Sequence, residues 1–213
     1  MDTARQITDQ EQLRTVYRQP GQTVIDKVID HVDEGAAGFI ARSPFMVLAT
    51  ATDGRSDASP RGGPPGFVRV LDEHHLAWGD LTGNNRLDSF GNIVVRPEIG
   101  LVFVVPGVEE TLRLWGAARL VQDPEVLEAC RIGDRFPKTA VVVTVHECYI
   151  QCGAALRRSQ MWNTESWPTG DAKPSGAAIL KDHIGTDATV EQIESGLADY
   201  YDNHIWAVGG NTD

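Results

Sequence analysis

The sequence predicts one domain of the α+β class, mainly β, in which short antiparallel strands form a barrel or a sandwich. A length of 213 residues corresponds to a single domain of ordinary size. With 41% hydrophobic and 23% charged residues, the chain can bury a substantial core. Its apolar runs are short and closely spaced, with few helical crossovers between them, and this spacing favours antiparallel over parallel pairing.

Six segments have the composition of strands. In chain order they cover residues 45–52, 67–71, 76–78, 99–105, 111–121 and 140–150. The first is a continuous apolar run that ends at the turn Asp53-Gly54, as expected of a buried strand. In the fifth, Leu112 and Leu114 alternate with polar or bulky neighbours, which is the period of a half-buried strand.

Helices are predicted around these strands. An apolar stripe with helical spacing predicts a helix over residues 22–34, ended by Gly35. A second helix is expected over residues 85–94, before Arg96-Pro97. Asp123 precedes Pro124 in the arrangement of an N-cap and a first helical residue. Thr189 and Gln192 form a capping-box pattern before a C-terminal helix.

Charge is unevenly distributed along the chain. Residues 169–213 hold eight acidic and two basic side chains, whereas residues 42–168 hold fifteen acidic and thirteen basic ones. The predicted organisation is therefore an N-terminal helical arm (1–41), a central barrel (42–168) and an acidic C-terminal helical arm (169–213). Residues 169–176 have the composition of a linker.

Overall composition disfavours several classes of function. A net charge of −11 and a pI near 4.9 argue against binding to nucleic acid or to an anionic membrane surface. We find no apolar run of about 20 residues and no signal-peptide pattern at the N-terminus, so a cytoplasmic location is expected. The three cysteines are typical of reduced thiols.

Common catalytic signatures do not occur in the sequence. It lacks the two glycine-rich phosphate loops, the Gly-x-Ser-x-Gly elbow and the His-Glu-x-x-His zinc helix. His146, Cys148 and Cys152 come nearest to a metal-binding set, and the first two would share one face of a strand. Because a fourth ligand is missing, we expect buried structural thiols and no metal.

A rigid segment, Ser59-Pro-Arg-Gly-Gly-Pro-Pro-Gly66, precedes the second predicted strand. Its glycines allow close approach of a ligand to the backbone, and its prolines stiffen it. Arg61 lies within it without an adjacent acidic residue. The segment is consistent either with a ligand-contacting loop or with an ordinary turn between strands.

The segment Gly83-Asn84-Asn85-Arg86 opens the second predicted helix. A helix N-terminus binds phosphate through free N–H groups and the positive end of its dipole. A cation such as Arg86 is unfavourable in a first helical turn unless an anion compensates it. The alternative is that an asparagine caps the helix and Arg86 points to water.

Taken in order, these motifs resemble the FMN-binding split-barrel family of pyridoxamine 5′-phosphate oxidase relatives. The resemblance rests on residues 45–52, Ser59-Pro-Arg-Gly, residues 65–70, Gly83-Asn-Asn-Arg and Thr111-Leu-Arg-Leu-Trp. It extends over roughly residues 22–168, including the run from Cys152 to Trp167. The resemblance implies a six-stranded antiparallel split barrel, a homodimer, and FMN held at the dimer interface.

The resemblance also implies which residues contact the cofactor. They are Ser59, Pro60 and Arg61; Gly66, Phe67 and Val68; Asn85 and Arg86; Arg158 and Ser159; and Arg113. Asn85 and Arg86 would hold the phosphate, while the backbone of residues 66–68 would face the flavin ring. No catalytic residue is assigned.

Two departures from the family pattern limit the expected activity. True pyridoxamine-phosphate oxidases have Ser-Arg-Lys where this chain has Asn84-Asn85-Arg86, and they have an Arg-x-His motif that is missing here. The sequence therefore predicts an FMN-dependent oxidoreductase that acts on another small molecule. The alternative is a non-catalytic carrier or sensor of flavin, haem or deazaflavin. Haem would need an axial histidine, and the candidates are His31, His146, His183 and His204.

Overall fold

A single antiparallel sheet of seven strands organises the protein. The computed structural model describes residues 6–80 and 83–206. Its strands are β1 (Phe45–Thr52), β2 (Arg55–Gly62), β3 (Val68–Asp72), β4 (His75–Gly79), β5 (Glu98–Val104), β6 (Thr111–Val121) and β7 (Ala140–Gln151). They pair in the order β2-β1-β5-β6-β7-β4-β3, so the sheet is open, with β2 and β3 at its edges. The predicted α+β class is confirmed, with seven strands where six were expected.

The additional strand is β2, which the sequence analysis interpreted as a loop. It pairs with β1 along its whole length, from Phe45 opposite Gly62 to Thr52 opposite Arg55. Its residues are exposed or half-buried, so it lacks the apolar run that marks the other strands. Pro60 is compatible with this position because an edge strand has one side that needs no N–H donor.

The main core lies on one face of the sheet. Met46, Leu48 and Phe103 are completely buried there, and they alternate along β1 and β5 with residues of the opposite face. Gly116 lies at a bulge between β6 and β7, where a side chain at this position would overlap the Thr144 carbonyl oxygen. The close approach of these two backbones therefore requires glycine.

Eight α-helices surround the sheet in the described ranges. They are α1 (Gln10–Val16), α2 (Gln22–Asp26), α3 (Glu34–Ile40), α4 (Asp88–Val95), α5 (Pro124–Ala129), α6 (Ala154–Arg158), α7 (Gly176–Ile184) and α8 (Val190–Asn203). The N-cap of α5 at Asp123 and the capping box of Thr189 and Gln192 on α8 are present as predicted. Helix α7, which begins within the predicted linker, was not anticipated. None of the helices in residues 6–80 and 83–206 has the length and apolar character needed to cross a bilayer.

The prediction of one helix over residues 22–34 is wrong. Helix α2 ends at Asp26, and Ile29 instead forms an isolated antiparallel bridge with Cys148 of β7. Asp33 then caps a new helix by accepting a hydrogen bond from the Ala36 N–H at 2.7 Å. Backbone pairing with the sheet therefore divides the apolar stripe between two helices, and Gly35 lies inside the second.

The predicted helix over residues 85–94 begins three residues later, at Asp88. Asn85 and Leu87 both adopt left-handed backbone conformations, with φ values of 54° and 55°. Such residues cannot continue a right-handed helix, and each costs about 1–2 kcal/mol for an L-residue. The division of the chain at residues 41 and 168 remains a prediction, and residues 1–5 and 207–213 of the two arms lie outside the described ranges.

Candidate functional site

A cavity of about 880 Å³ lies between β2, α4 and the ends of β4 and β7. Its polar lining includes Asp57, Ser59, Arg61, Asp80, Asn84, Asn85, Arg86, Asp88, Ser89, Lys138 and Thr139. Its apolar lining includes Phe67, Trp78, Phe90, Val94 and Leu120. The volume falls in the upper part of the range of about 300–1,000 Å³ that is usual for ligand pockets.

Strand β2 supplies one wall because alternate residues of a strand share a face. Asp57, Ser59 and Arg61 are half-buried, while their neighbours along the strand are exposed. The Ser89 hydroxyl, in the first turn of α4, donates to Asp57 Oδ2 at 3.0 Å and lies 2.9 Å from Ser59 Oγ. These contacts fix the start of α4 against β2.

Arg61 is the least satisfied polar group of the site. Its Nε is buried, and no hydrogen-bond acceptor contacts it within residues 6–80 and 83–206. The guanidinium carbon lies 6.0 Å from the ring centre of Phe90. Burial lowers the pKa of Arg61, while Asp80 and Asp57 oppose that change. Buried donors are nearly always paired in folded proteins, so an open donor beside a cavity is suited to an anionic ligand.

Asp80 provides an acidic group on another wall of the cavity. It follows β4, and its backbone N–H donates to the Thr139 carbonyl at 2.8 Å. Burial raises the pKa of Asp80, and the positive charges of Arg61 and Lys138 partly counter this effect. The cavity therefore combines a half-buried cation and a half-buried acid that influence each other.

The loop before α4 carries the two predicted phosphate ligands, Asn85 and Arg86, and both line the cavity. Arg86 Nε donates to Asp88 Oδ2 at 2.8 Å, and this ion pair raises the pKa of Arg86. Arg55 also contacts Asp88, at 3.3 Å. Arg86 therefore precedes the helix and has its own counter-ion. The prediction placed Arg86 in the first turn of the helix, where a cation would be a sign of a bound anion. The placement is wrong, because the helix begins at Asp88.

The structure separates the other predicted cofactor ligands. Ser59, Pro60, Arg61 and Phe67 line the same cavity as Asn85 and Arg86. Gly66 and Val68 are the sequence neighbours of Phe67 but do not line the cavity. Gly66 has a φ of +78° and lies close to the Ala41 carbonyl, and Val68 is buried in the core.

Three further predicted ligands lie elsewhere on the chain. Arg113 contacts the ring of Tyr149, with its guanidinium carbon 5.4 Å from the ring centre. Arg158 ends α6, and Ser159 Oγ donates to the Leu156 carbonyl at 3.0 Å. None of the three lines the cavity within the chain described here.

The predicted pairing of His146 and Cys148 on one face of β7 is wrong. The bulge between β6 and β7 pairs Trp115 with Glu147 and Gly116 with Val145, which leaves His146 without an opposite residue. His146 turns outward and contacts Trp115 at a ring distance of 4.8 Å, whereas Cys148 is buried. No cluster of three or more His, Cys, Asp or Glu side chains suited to a metal occurs in the described residues.

Sequence reasoning missed several residues of the cavity, among them Asp57, Trp78, Asp80, Phe90 and Lys138. If β2 had been interpreted as a strand, Asp57 would have been predicted on the same face as Ser59 and Arg61, because alternate residues of a strand share a face. Asp80 and Lys138 approach the site because β4 pairs with β7, with Gly79 opposite Ala140. No local signal in the sequence reveals that register.

Comparison with known proteins places these observations in a family. The model of the pyridoxamine 5′-phosphate oxidase family matches residues 32–152, which is more than half of the chain. A search of curated proteins found no match.

Three similar solved structures share 13–19% identity with this chain. HupZ from group A Streptococcus has 19% identity and a TM-score of 0.46 over 57% of this chain and 94% of its own. A putative pyridoxamine 5′-phosphate oxidase from Lactobacillus delbrueckii has 19% identity and a TM-score of 0.44 over 57% and 95%. An FAD-binding protein from Mycobacterium smegmatis has 13% identity and a TM-score of 0.40 over 58% and 97%. On the extent of the family match, the chain belongs to the pyridoxamine 5′-phosphate oxidase family.

Proposed function

We propose that the cavity binds FMN and that the protein is an FMN-dependent oxidoreductase acting on a small molecule. The observation that carries this proposal is Arg61, whose buried Nε has no acceptor among the described residues at the wall of a large cavity. A phosphate oxygen is the natural acceptor for such a guanidinium donor. The family to which the chain belongs supports the same assignment.

The phosphate would lie between Arg61 and the loop that precedes α4. Asn85 and Arg86 line this end of the cavity, and the N-cap residue of α4, Leu87, makes no side-chain capping hydrogen bond. Uncapped N–H groups at a helix start favour an anion. Asp88 would oppose the phosphate, but its charge is already paired with Arg86 and Arg55.

The flavin ring would occupy the apolar part of the cavity. Phe67, Trp78 and Phe90 contribute aromatic surface there, and Val94 and Leu120 add aliphatic surface. Aromatic side chains pack well against a flat conjugated ring and exclude water from it. A bound flavin supplies hydride or electron transfer, while the residues of this chain bind and orient it.

Haem binding in this cavity receives less support than flavin binding. No histidine is among the residues that line it in the described part of the chain. Two of the axial candidates have other contacts: His146 makes an edge-to-face contact with Trp115, and His31 contacts His74 at a ring distance of 6.4 Å. The absorption spectrum of the purified protein distinguishes bound haem from bound flavin.

The test is that spectrum together with equilibrium titrations with FMN, FAD and haem. We expect flavin bands, or stoichiometric uptake of added FMN, with FMN preferred over FAD. A Soret band in the purified protein, or failure to take up FMN, would overturn the proposal. Turnover of a reducible small molecule by the FMN-loaded protein would then test the oxidoreductase activity.

We further propose that the protein is a homodimer with the cavity near the subunit interface. Phe45 and Trp115 are 39% and 44% exposed on the face of the sheet opposite the main core, which leaves apolar surface available for a second copy. Arg113, Arg158 and Ser159, which do not reach the cavity of their own chain, would then be available to that of the partner. Light scattering after gel filtration of FMN-loaded protein is expected to give twice the monomer mass, and a monomer mass would contradict the dimer.

A further inference from the structure

Asp80 has no role in the flavin site as described so far, although its negative charge acts on Arg61 at the wall of the same cavity. Both side chains line the cavity, and the negative charge of Asp80 stabilises the charged form of Arg61. No hydrogen-bond donor contacts the Asp80 carboxylate within residues 6–80 and 83–206. Asp80 is therefore a counter-ion of Arg61 that acts through space.

The charged groups that face Asp80 come from two other elements. Strand β2 contributes Arg61, and the segment before β7 contributes Lys138. Asp57, also on β2, acts on Arg61 together with Asp80. Asp57 differs from Asp80 because it already accepts a hydrogen bond from the Ser89 hydroxyl. Of the two acids near Arg61, Asp80 is thus the one whose charge depends more on the surrounding cations.

An anionic ligand on Arg61 would change this balance. The ligand would neutralise the cation that helps to keep Asp80 charged, and it would add a like charge within the same poorly solvated space. Both effects favour the protonated carboxyl, because like charges in one site cannot both remain ionised cheaply.

We propose that Asp80 is an affinity-determining residue of the cavity, which takes up a proton when a phosphate monoester occupies Arg61. This inference rests on the proposed FMN site. In the free protein Asp80 neutralises Arg61, and in the complex the phosphate replaces it as the counter-ion. The cavity thereby admits a phosphate together with a proton, so that FMN affinity is higher at acidic than at alkaline pH.

The experiment compares proton uptake on FMN binding in the wild type and in Asp80→Asn. Isothermal titration calorimetry in buffers of different ionisation enthalpy gives the number of protons bound at each pH from about 5 to about 8. The phosphate of free FMN titrates near pH 6, and this contribution is the same for the two proteins. The difference between them therefore reports the proton taken up by the coupled pair of Asp80 and the bound phosphate. Asp182→Asn, an exposed site on α7, removes the same charge and serves as the control.

We expect the wild type and Asp182→Asn to take up more protons than Asp80→Asn, with a maximum difference between zero and one proton. Asp80→Asn should bind FMN about fivefold more tightly than the wild type near pH 8, because a charge that opposes the phosphate is gone. Riboflavin, which lacks the phosphate, should show no difference in proton uptake.

Equal proton uptake by the wild type and Asp80→Asn at every pH would overturn the inference, as would weaker FMN binding by Asp80→Asn with an unchanged pH profile. In either case FMN binding by the wild type would leave the proposed function intact. Failure of the wild type to bind FMN at any pH would overturn both.

Discussion

The interior of the sheet and the cavity beside it are built from the same strands but differ in how their polar groups are satisfied. In the interior, the few polar side chains are paired: Asn92 Nδ2 donates to Thr50 Oγ1 at 2.9 Å, and the Ser43 hydroxyl lies 2.7 Å from the Phe45 carbonyl. In the cavity, the buried Nε of Arg61 has no acceptor among the described residues.

This difference indicates that stability and binding are located in different parts of the molecule. A buried donor without a partner costs about 1–3 kcal/mol, and a sequence under selection for stability alone would replace Arg61. Residues of the interior should therefore affect the free energy of unfolding, whereas residues of the cavity should affect ligand affinity. Substitutions on the two sides test this separation.

The largest expected effect on stability is that of Phe103→Ala in the interior. Phe103 is completely buried on β5, so its truncation should lower the free energy of unfolding by about 3–5 kcal/mol. Urea denaturation followed by circular dichroism measures the change. Phe90→Ala, on the half-buried cavity wall, is the matched control and should cost less than half as much. Equal losses at the two sites would contradict the separation.

Arg61→Met should raise the free energy of unfolding, in contrast to Phe103→Ala. The substitution removes a buried donor without an acceptor and retains an apolar side chain of similar length, but it also removes the attraction between Arg61 and Asp80. We expect the first effect to prevail, so that the ligand-free protein gains up to about 1 kcal/mol. Thermal and urea unfolding without ligand measure this gain. Arg119→Met, at an exposed position of β6, removes the same charge and should leave stability unchanged within about 0.5 kcal/mol. A clear loss of stability in Arg61→Met would show that Arg61 has a structural role.

A moderate effect, on binding and not on stability, is expected for Arg86→Ala, which should weaken FMN binding about tenfold. The side chain is 67% exposed and already paired with Asp88, so it contributes less to an anion than Arg61 does. Arg55 also pairs with Asp88 but does not line the cavity, and Arg55→Ala is therefore the matched control. Fluorescence titration with FMN measures both. Equal losses of FMN affinity in Arg86→Ala and Arg55→Ala would mean that Arg86 acts only through its ion pair with Asp88.

The smallest perturbation is thiol labelling, which compares the interior with the surface. Burial raises the pKa of Cys130 and of Cys148 to about 11, whereas a hydrogen bond from the Ala154 N–H lowers the pKa of the exposed Cys152. Since the thiolate is the reactive form, one thiol per native chain should react rapidly with a disulfide reagent near pH 8, and three after unfolding. Rapid reaction of two or more thiols in the native protein would mean that the interior opens readily.

Sequence reasoning predicted the apolar half of this comparison well. Continuous or alternating apolar runs marked β1, β6 and β7, because burial of one face imposes a pattern that is visible locally. Strand β2 was missed for the same reason: it is polar, lies at an edge and contains Pro60, so its pairing with β1 gives it a structure that its composition does not reveal.

The cavity was predicted only in part. The Ser59-Pro-Arg-Gly motif and the Asn85-Arg86 pair identified one end, and both are brought together in the structure. Asp80 and Lys138 were not found, since their approach depends on the register between β4 and β7. The bulge that turns His146 outward is also a tertiary effect, set by the close contact of Gly116 with β7.

In the proposed complex, Arg61 receives the phosphate of FMN. The most direct test is the ratio of the riboflavin and FMN dissociation constants, measured by fluorescence titration in the wild type and in Arg61→Met. Charge-assisted hydrogen bonds of about 1.5–3 kcal/mol each predict that the wild type prefers FMN by about 100-fold. The ratio should fall at least tenfold in Arg61→Met, with riboflavin affinity nearly unchanged. A ratio that is the same in both proteins would contradict the account.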